Sequence, residues 1–480
     1  MPLPRRSTAS TAGAALLGLL VVAAPLARGG VDWPVQLCLA ALAALALLLL
    51  SRGSDRAPLL ALPLLLVLGW SALQVVPWPS GEAISHDPPA SGRELGGAVA
   101  ALLAFMAGWA VAGTRRRREL VLVAFGGSGL TVALVVLGAA LLGLGPLLEP
   151  KFPFVNPNQL AGLLCLTAFP VLGLALRRHG QARLLWLMGF VLVVTPLFTS
   201  LSRGGIGAFF GGAAVFLLLS TRRLHAPGEP PHPWRWAAMA GLTAALGAVA
   251  YLALEPVVRE LSTLRTARDE LKLELWRPAL TMVREHPLGG IGRGAFLTVF
   301  PGLKTDPAAA TFTHLENEWL QPLIDLGLPL GLLLVGTLGL VWLTGARRRD
   351  LSPVEVGLLA GTAALAAQNL VDFSLEFSGV GVPFMVALGL LTRGEWPLRL
   401  RWRWLAAGVV ATLGVAGAGA LFWVAHPTEA EALAVVEAPS AAEAAVLAAE
   451  ALRWHRADYL PAAAVGARWV LEGRCAPAMP

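Results

Sequence analysis

His286-Pro-Leu-Gly-Gly-Ile-Gly-Arg-Gly-Ala-Phe296, followed by His314-Leu-Glu-Asn-Glu-Trp-Leu-Gln321 and Pro322-Leu-Ile-Asp-Leu-Gly-Leu-Pro-Leu-Gly331, is a stretch dense in glycine, histidine and charge that runs directly into an apolar segment of membrane length. It stands out because the chain around it is so apolar. Of the 480 residues, 56% are hydrophobic and only 14% charged, too little charge to solvate a globule of this size. The expected class is an all-α polytopic membrane protein, and chemistry is expected where the polar residues gather.

Working outward, apolar segments lie near 11–26, 34–50, 57–76, 96–113, 119–143, 158–176, 184–200, 205–220, 235–254, 318–343, 354–371, 378–392 and 403–425. Each is near the length a helix needs to cross about 30 Å of hydrocarbon, which predicts about 12–13 transmembrane helices. Arg5-Arg6 followed by Thr11 to Leu26 has the layout of a signal peptide, but the spans that follow directly favour an uncleaved first helix. The net charge of +7 comes in short clusters between apolar runs rather than along one helix face, which argues against nucleic acid as a partner.

Those clusters orient the chain. With the N-terminus in the cytoplasm, Arg52/Arg56, Arg115–Arg118, Arg177/Arg178/Arg183, Arg222/Arg223/Arg235, Arg347–Arg349 and Arg393/Arg399/Arg401/Arg403 share its side. The short loops opposite hold only Arg28, Arg93, Lys151 and Arg203. Loops rich in Lys and Arg stay cytoplasmic, so the connection 255–317, the loop 77–95 and everything after Ala425 are expected to be extracytoplasmic. That face has no ATP, and no Gly-rich loop followed by Lys-Ser/Thr is present, so a group transfer there must draw on a donor activated in advance.

The expected organisation is a multi-span membrane domain over 1–425, with 255–317 as its extracytoplasmic catalytic loop, and a short helical tail over 426–480. Within the loop, apolar residues from Val257 to Glu285 recur at helical spacing with a break near Ala267 to Glu270, which predicts one or two amphipathic helices along the membrane surface. His286-Pro287 ends them, and Gly289, Gly290, Gly292 and Gly294 predict a tight turn before Phe296. The alanine-rich tail reads as two or three short helices and suggests a tetratricopeptide-like hairpin, although a single unit is no array. Cys38, Cys165 and Cys475 have neither metal-ligand spacing nor a disulfide pattern, so neither a metal nor a cofactor is expected.

Several residues suit the chemistry of phosphate and hydroxyl groups. Arg203, beside two glycines, offers a planar fork for phosphate oxygens on the side where arginine is otherwise disfavoured. Lys272, Arg265 and Arg268 are candidates for a second cation, and the charges of an amphipathic helix would equally account for them. Arg293, set between glycines, could bind phosphate, whereas turn formation alone would explain the glycines. His314 and Glu316, two residues apart, would share a face of an extended segment, and either could take a proton from a hydroxyl. Glu316 could instead cap the following helix, and His286 could simply end the preceding one. Asn156 and Asn158 around Pro157 predict an Asx-type turn, with a sugar contact as the sharper alternative.

Taken in order, the motifs resemble those of the O-antigen ligase and polymerase superfamily of bacterial envelope proteins. Phe154-Val-Asn-Pro-Asn-Gln159 with Ala161-Gly162, Ser202-Arg203-Gly204-Gly205, Leu275-Trp276 with Pro278-Ala279, the His286–Phe296 run, His314–Gln321 with Gly327–Gly331, and Asn369-Leu-Val-Asp372-Phe373 each look like an element of that superfamily, across roughly 60–425. The resemblance implies a GT-C-like fold in the bacterial inner membrane. It also implies a metal-independent transfer of a glycan from an undecaprenyl-pyrophosphate carrier to a glycan or lipid hydroxyl at the outer face. On that reading Arg203, with Lys272, Arg265, Arg268 or Arg293, holds the pyrophosphate, Glu316 or His314 is the base, and Asn317, Asn156, Asn158, Ser202 and His286 support them. A lipid-linked glycan flippase is the competing expectation, disfavoured by the absence of paired repeats and midplane charges. A non-catalytic scaffold recruiting an envelope assembly through the tail is the other.

Overall fold

The computed structural model describes residues 8–52, 54–79, 81–144, 152–224, 268–303 and 312–473. The expected span 235–254, Arg265, Lys151 and Cys475 lie outside them, as do the side chains of Arg268 and Lys272. The architecture is all-α, and its β-structure among the described residues is one short antiparallel pair, Arg56–Pro58 with Pro397–Arg399. Every expected span within the described residues is a helix. Nine of these helices are long and apolar enough to cross a membrane, while Ala61–Val75 and Ser378–Leu391 are apolar but shorter. Boundaries differ from expectation: helix Pro88–Ala112 starts within the expected loop 77–95, the expected segment 57–76 begins in the β-pair and is helical only from Ala61, and the segment anticipated at 318–343 is broken at Gly327 into a short helix Gln321–Leu326 and a span Leu328–Ala346. Asp325, expected several residues inside that span, instead precedes it.

The chain divides into two compact units: residues 1–61, 100–271 and 338–406, and residues 62–99, 272–337 and 407–480. In the first unit, helix Pro157–Arg177 is buried without interruption from Gln159 to Ala175 and packs on Pro353–Gln368. Small residues make the close approach possible. A Cβ at Gly361 would meet the backbone of Leu166, and one at Gly357 the backbone of Phe169, so the Gly-xxx-Gly spacing of one helix lies against the main chain of the other. Phe169, Phe198, Phe209 and Phe216 fill the space toward helix Arg203–Leu224 by ring contacts.

Helix Pro353–Gln368 begins with a capping box, Ser352 accepting from the Glu355 amide and Glu355 from the Ser352 amide. The Glu355 carboxylate, buried, also receives Arg393 through Nε at 2.8 Å and Nη2 at 2.6 Å, with Arg118 Nε at 3.3 Å. Removing one partner of a buried pair strands the other charge. Arg393→Ala is therefore expected to destabilise the fold by about 3 kcal/mol, read as an earlier thermal transition of the purified protein in detergent. A transition at the wild-type temperature would show that Arg118 alone suffices.

The second unit is built on a core of Leu275, Met282, Ile291, Phe296, Leu315 and Ile324 with their neighbours. It joins helix Arg268–Glu285, the glycine turn and the short helix Gln321–Leu326. The residues after Ala425 form three short helices, Thr428–Glu437, Ala441–Trp454 and Tyr459–Leu471, packed on one another.

Candidate functional site

In the first unit three of the motifs come together. Asn156 caps helix Pro157–Arg177, its side chain accepting from the Asn158 amide at 2.9 Å, which is the expected Asx turn. Ser202 caps the helix that begins at Arg203: its Oγ accepts from Gly205 N at 3.2 Å and its carbonyl from Ile206 N. Gly205 lies so close to Ala161 that a Cβ would sit 2.5 Å from the alanine methyl, and Gly204 faces Val371 and Gln368. Gln368 ties the group together, donating from Nε2 to the Asn158 carbonyl at 2.7 Å and to Asp372 Oδ2 at 2.9 Å. Asp372 is buried and also accepts from Ser374 Oγ and the Phe373 amide.

Half-buried Arg203 thus occupies the first position of a helix. A cation there opposes the helix dipole, by about 0.3–1 kcal/mol for an exposed group. Although Gly205 N is already taken by Ser202 Oγ, the positive end of the helix dipole at Arg203 favours an anion.

In the second unit the glycine turn is wound around short helix Gln321–Leu326. Ile291 N donates to Ile324 O at 2.9 Å, Gly292 N to Asp325 O at 3.1 Å, and Leu328 N to Pro287 O at 2.8 Å. Gly290, Gly292 and Gly294 have φ of 67°, 96° and 83°, a region that L side chains avoid. Gln74 closes the turn from the other side, its Nε2 donating at 2.7 Å to both Gly289 O and Asp325 O. Arg293 is half-buried within the turn, and His286 follows the end of helix Arg268–Glu285, its amide donating to Met282 O.

His314 and Glu316 flank buried Leu315, and both are half-buried. The segment is not a plain extended strand, because Glu316 has φ 60°. The cap of the following turn is Asn317, not Glu316: Asn317 Oδ1 accepts from Trp319 N at 3.0 Å and Leu320 N at 3.1 Å. Gln321 sets the register of this segment, accepting from Leu315 N at 2.7 Å through Oε1 and donating to Asp325 Oδ1 at 2.9 Å. His314 Nδ1 lies 3.0 Å from Thr313 Oγ1.

The structure so brings together Asn156, Asn158, Ser202 and Arg203 in the first unit, and His286, Arg293, His314, Glu316 and Asn317 in the second. Sequence reasoning passed over Gln368 and Gln74, each the one amide side chain of its helix, and that isolation was the available signal. It also passed over His86. The His86 ring meets His286 edge to face at 4.6 Å between centroids, and its amide donates to Ile291 O at 2.9 Å. Burial, then the neighbouring His286 and Arg456, hold the His86 imidazole below the usual histidine range and so favour its neutral form.

A comparison with curated proteins finds no match. Residues 188–335, which include Arg203, the glycine turn, His314 and Glu316, match the family model described as O-antigen ligase. With its series of apolar helices the chain is a multi-pass membrane protein, and through residues 188–335 it is similar to the O-antigen ligase family.

Proposed function

We propose that the protein transfers a glycan from a polyprenyl-pyrophosphate carrier, undecaprenyl pyrophosphate in a bacterial inner membrane, to a hydroxyl on a glycan or lipid acceptor at the extracytoplasmic face. The observation that carries this reading is the O-antigen ligase match, which spans both the helix start at Arg203 and the 286–321 stretch. Arg203 binds the pyrophosphate, with Arg293, Lys272, Arg268 or Arg265 as further cations, and the pyrophosphate leaves with the electron pair of the broken glycosidic bond. Glu316 or His314 removes the proton of the attacking hydroxyl as the new bond forms. Direct displacement inverts the anomeric carbon.

The test is the purified full-length protein in vesicles with a lipid-linked glycan and an acceptor. Expected is covalent transfer with release of the polyprenyl pyrophosphate, continuing in excess chelator. Passage of unchanged lipid-linked glycan across the bilayer, without transfer, would overturn the reading in favour of a flippase. Deleting the gene separates the two products: shortened envelope glycan chains mark a polymerase, and accumulated full-length carrier-linked chains mark a ligase.

A further inference from the structure

The loop before helix Pro88–Ala112 is held from two sides within the second unit. On one side it carries the glycine turn. His86 meets His286 and donates its amide to Ile291 O, while a Cβ at Gly292 would collide with Ser85 and Ser91, whose hydroxyls are 2.7 Å apart. On the other side it is gripped by the tail. Buried His455 donates from Nδ1 to Asp87 Oδ1 at 2.9 Å, and Thr428 Oγ1 reaches Asp87 Oδ2 at 3.3 Å. Arg456 reaches Glu82 through Nη1 at 2.8 Å and the carbonyls of Ala83 and Ser85 through Nη2 at 2.6 and 2.9 Å. Asp87 has a second task as cap of helix Pro88–Ala112, accepting from the Ala90 amide at 3.1 Å.

We propose that the tail is a working part of the transfer site, with His455 and Arg456 as positioning residues that seat His86 and Ser85 against the glycine turn Gly289–Gly294. The proposal rests on the transfer reading given above. Neither residue touches the reacting groups. They act through the loop, whose other face is the turn that carries Arg293 and is bonded to the short helix ahead of Gly327. The Arg456 fork divides between the Glu82 carboxylate and the carbonyls of Ala83 and Ser85, so its planar geometry matters as well as its charge.

The charge on His455 depends on its surroundings. Burial works against it, but Asp87 at hydrogen-bond distance, Glu431 at 3.5 Å and Asp458 raise its affinity for a proton above the histidine reference of 6.5. His426, bonded to the same Glu431 at 3.0 Å, and Arg456 are the other ionisable groups at this junction. A raised folded value means that the contribution of His455 is complete below pH 6.5 and fades as pH rises through that raised value. His86 has the opposite sign. Its lowered value means that its contribution is present above 6.5 and fades as pH falls, when a second positive charge would face His286 and Arg456.

The experiment uses full-length protein in detergent or vesicles, as wild type, His455→Gln, Arg456→Met and the conservative Arg456→Lys. Amide hydrogen exchange over 286–294 is expected to speed up about 10- to 100-fold in the first two variants, with helix Pro157–Arg177 unchanged. Turnover is expected to fall by a similar factor while KM for the lipid-linked donor stays within about twofold of wild type, and Arg456→Lys recovers part of both. The alkaline limb of the exchange-pH profile disappears in His455→Gln and the acid limb remains. Unchanged exchange over 286–294 in both variants, or faster exchange with wild-type turnover, would overturn the proposal. A wild-type protein that transfers no glycan would overturn the transfer reading instead, and the exchange result would still report on the tail contact.

Discussion

Arg203→Ala is expected to lower glycan transfer about 100- to 1,000-fold, with insertion and abundance at the wild-type level. The helix that starts at Arg203 is anchored by the Ser202 cap and by the close approach of Gly205 to Ala161, and neither involves the guanidinium. What the substitution removes is the planar fork at the positive end of a helix, where a pyrophosphate would gain charge as it leaves. Arg203→Lys restores the charge but not the fork, so intermediate activity is expected. Consumption of a lipid-linked glycan by purified variants is the measurement, with Glu316→Ala and His314→Ala alongside. Whichever of these two is the base should lose about 100- to 10,000-fold and the other far less. Wild-type rates for all three would remove the site assignment.

Gly290→Ala is the second large effect, and it acts on structure. At φ 67° an L side chain costs about 1–2 kcal/mol. The added methyl would also lie 2.5 Å from the Asp325 carbonyl carbon and 2.6 Å from Gly327 N. Those are main-chain atoms held by Gln74 and by the turn's own bonds, so they have little room to shift. Overpacking of this kind adds about 1–3 kcal/mol. The combined penalty, about 4 kcal/mol, is expected as loss of exchange protection over 286–294 and loss of transfer. Gly302→Ala meets open space and should behave as wild type in both measurements. A Gly290→Ala protein with native protection would show that the turn yields.

The spans were legible because twenty or so apolar residues in a row leave a helix as the only way to satisfy the backbone in hydrocarbon. The Asn156 turn and the glycine turn were legible for a similar reason: Asx side chains and runs of glycine announce their local geometry. The break at Gly327 was not, since Leu326 and Leu328 on either side continue the apolar run, and the glycine's φ of 80° separates the short helix from the span. Glu316 was a poor guide to capping because Asn317, the stronger cap residue, stood next to it. Within the site, the chemistry-bearing types could be named from sequence, but their supports could not. Gln74 reaches across 215 residues to Gly289, and Gln368 across 210 to Asn158, distances at which periodicity carries no information.

The double role of Asp87 has a consequence for how the protein is made. Its counter-ion, His455, is 368 residues further along the chain. A nascent chain moving through the insertion machinery therefore carries that carboxylate for most of its synthesis before the imidazolium that neutralises it exists. The corner around the glycine turn is completed only when the helices after Ala425 fold back onto it, so it cannot be finished as its own spans are inserted.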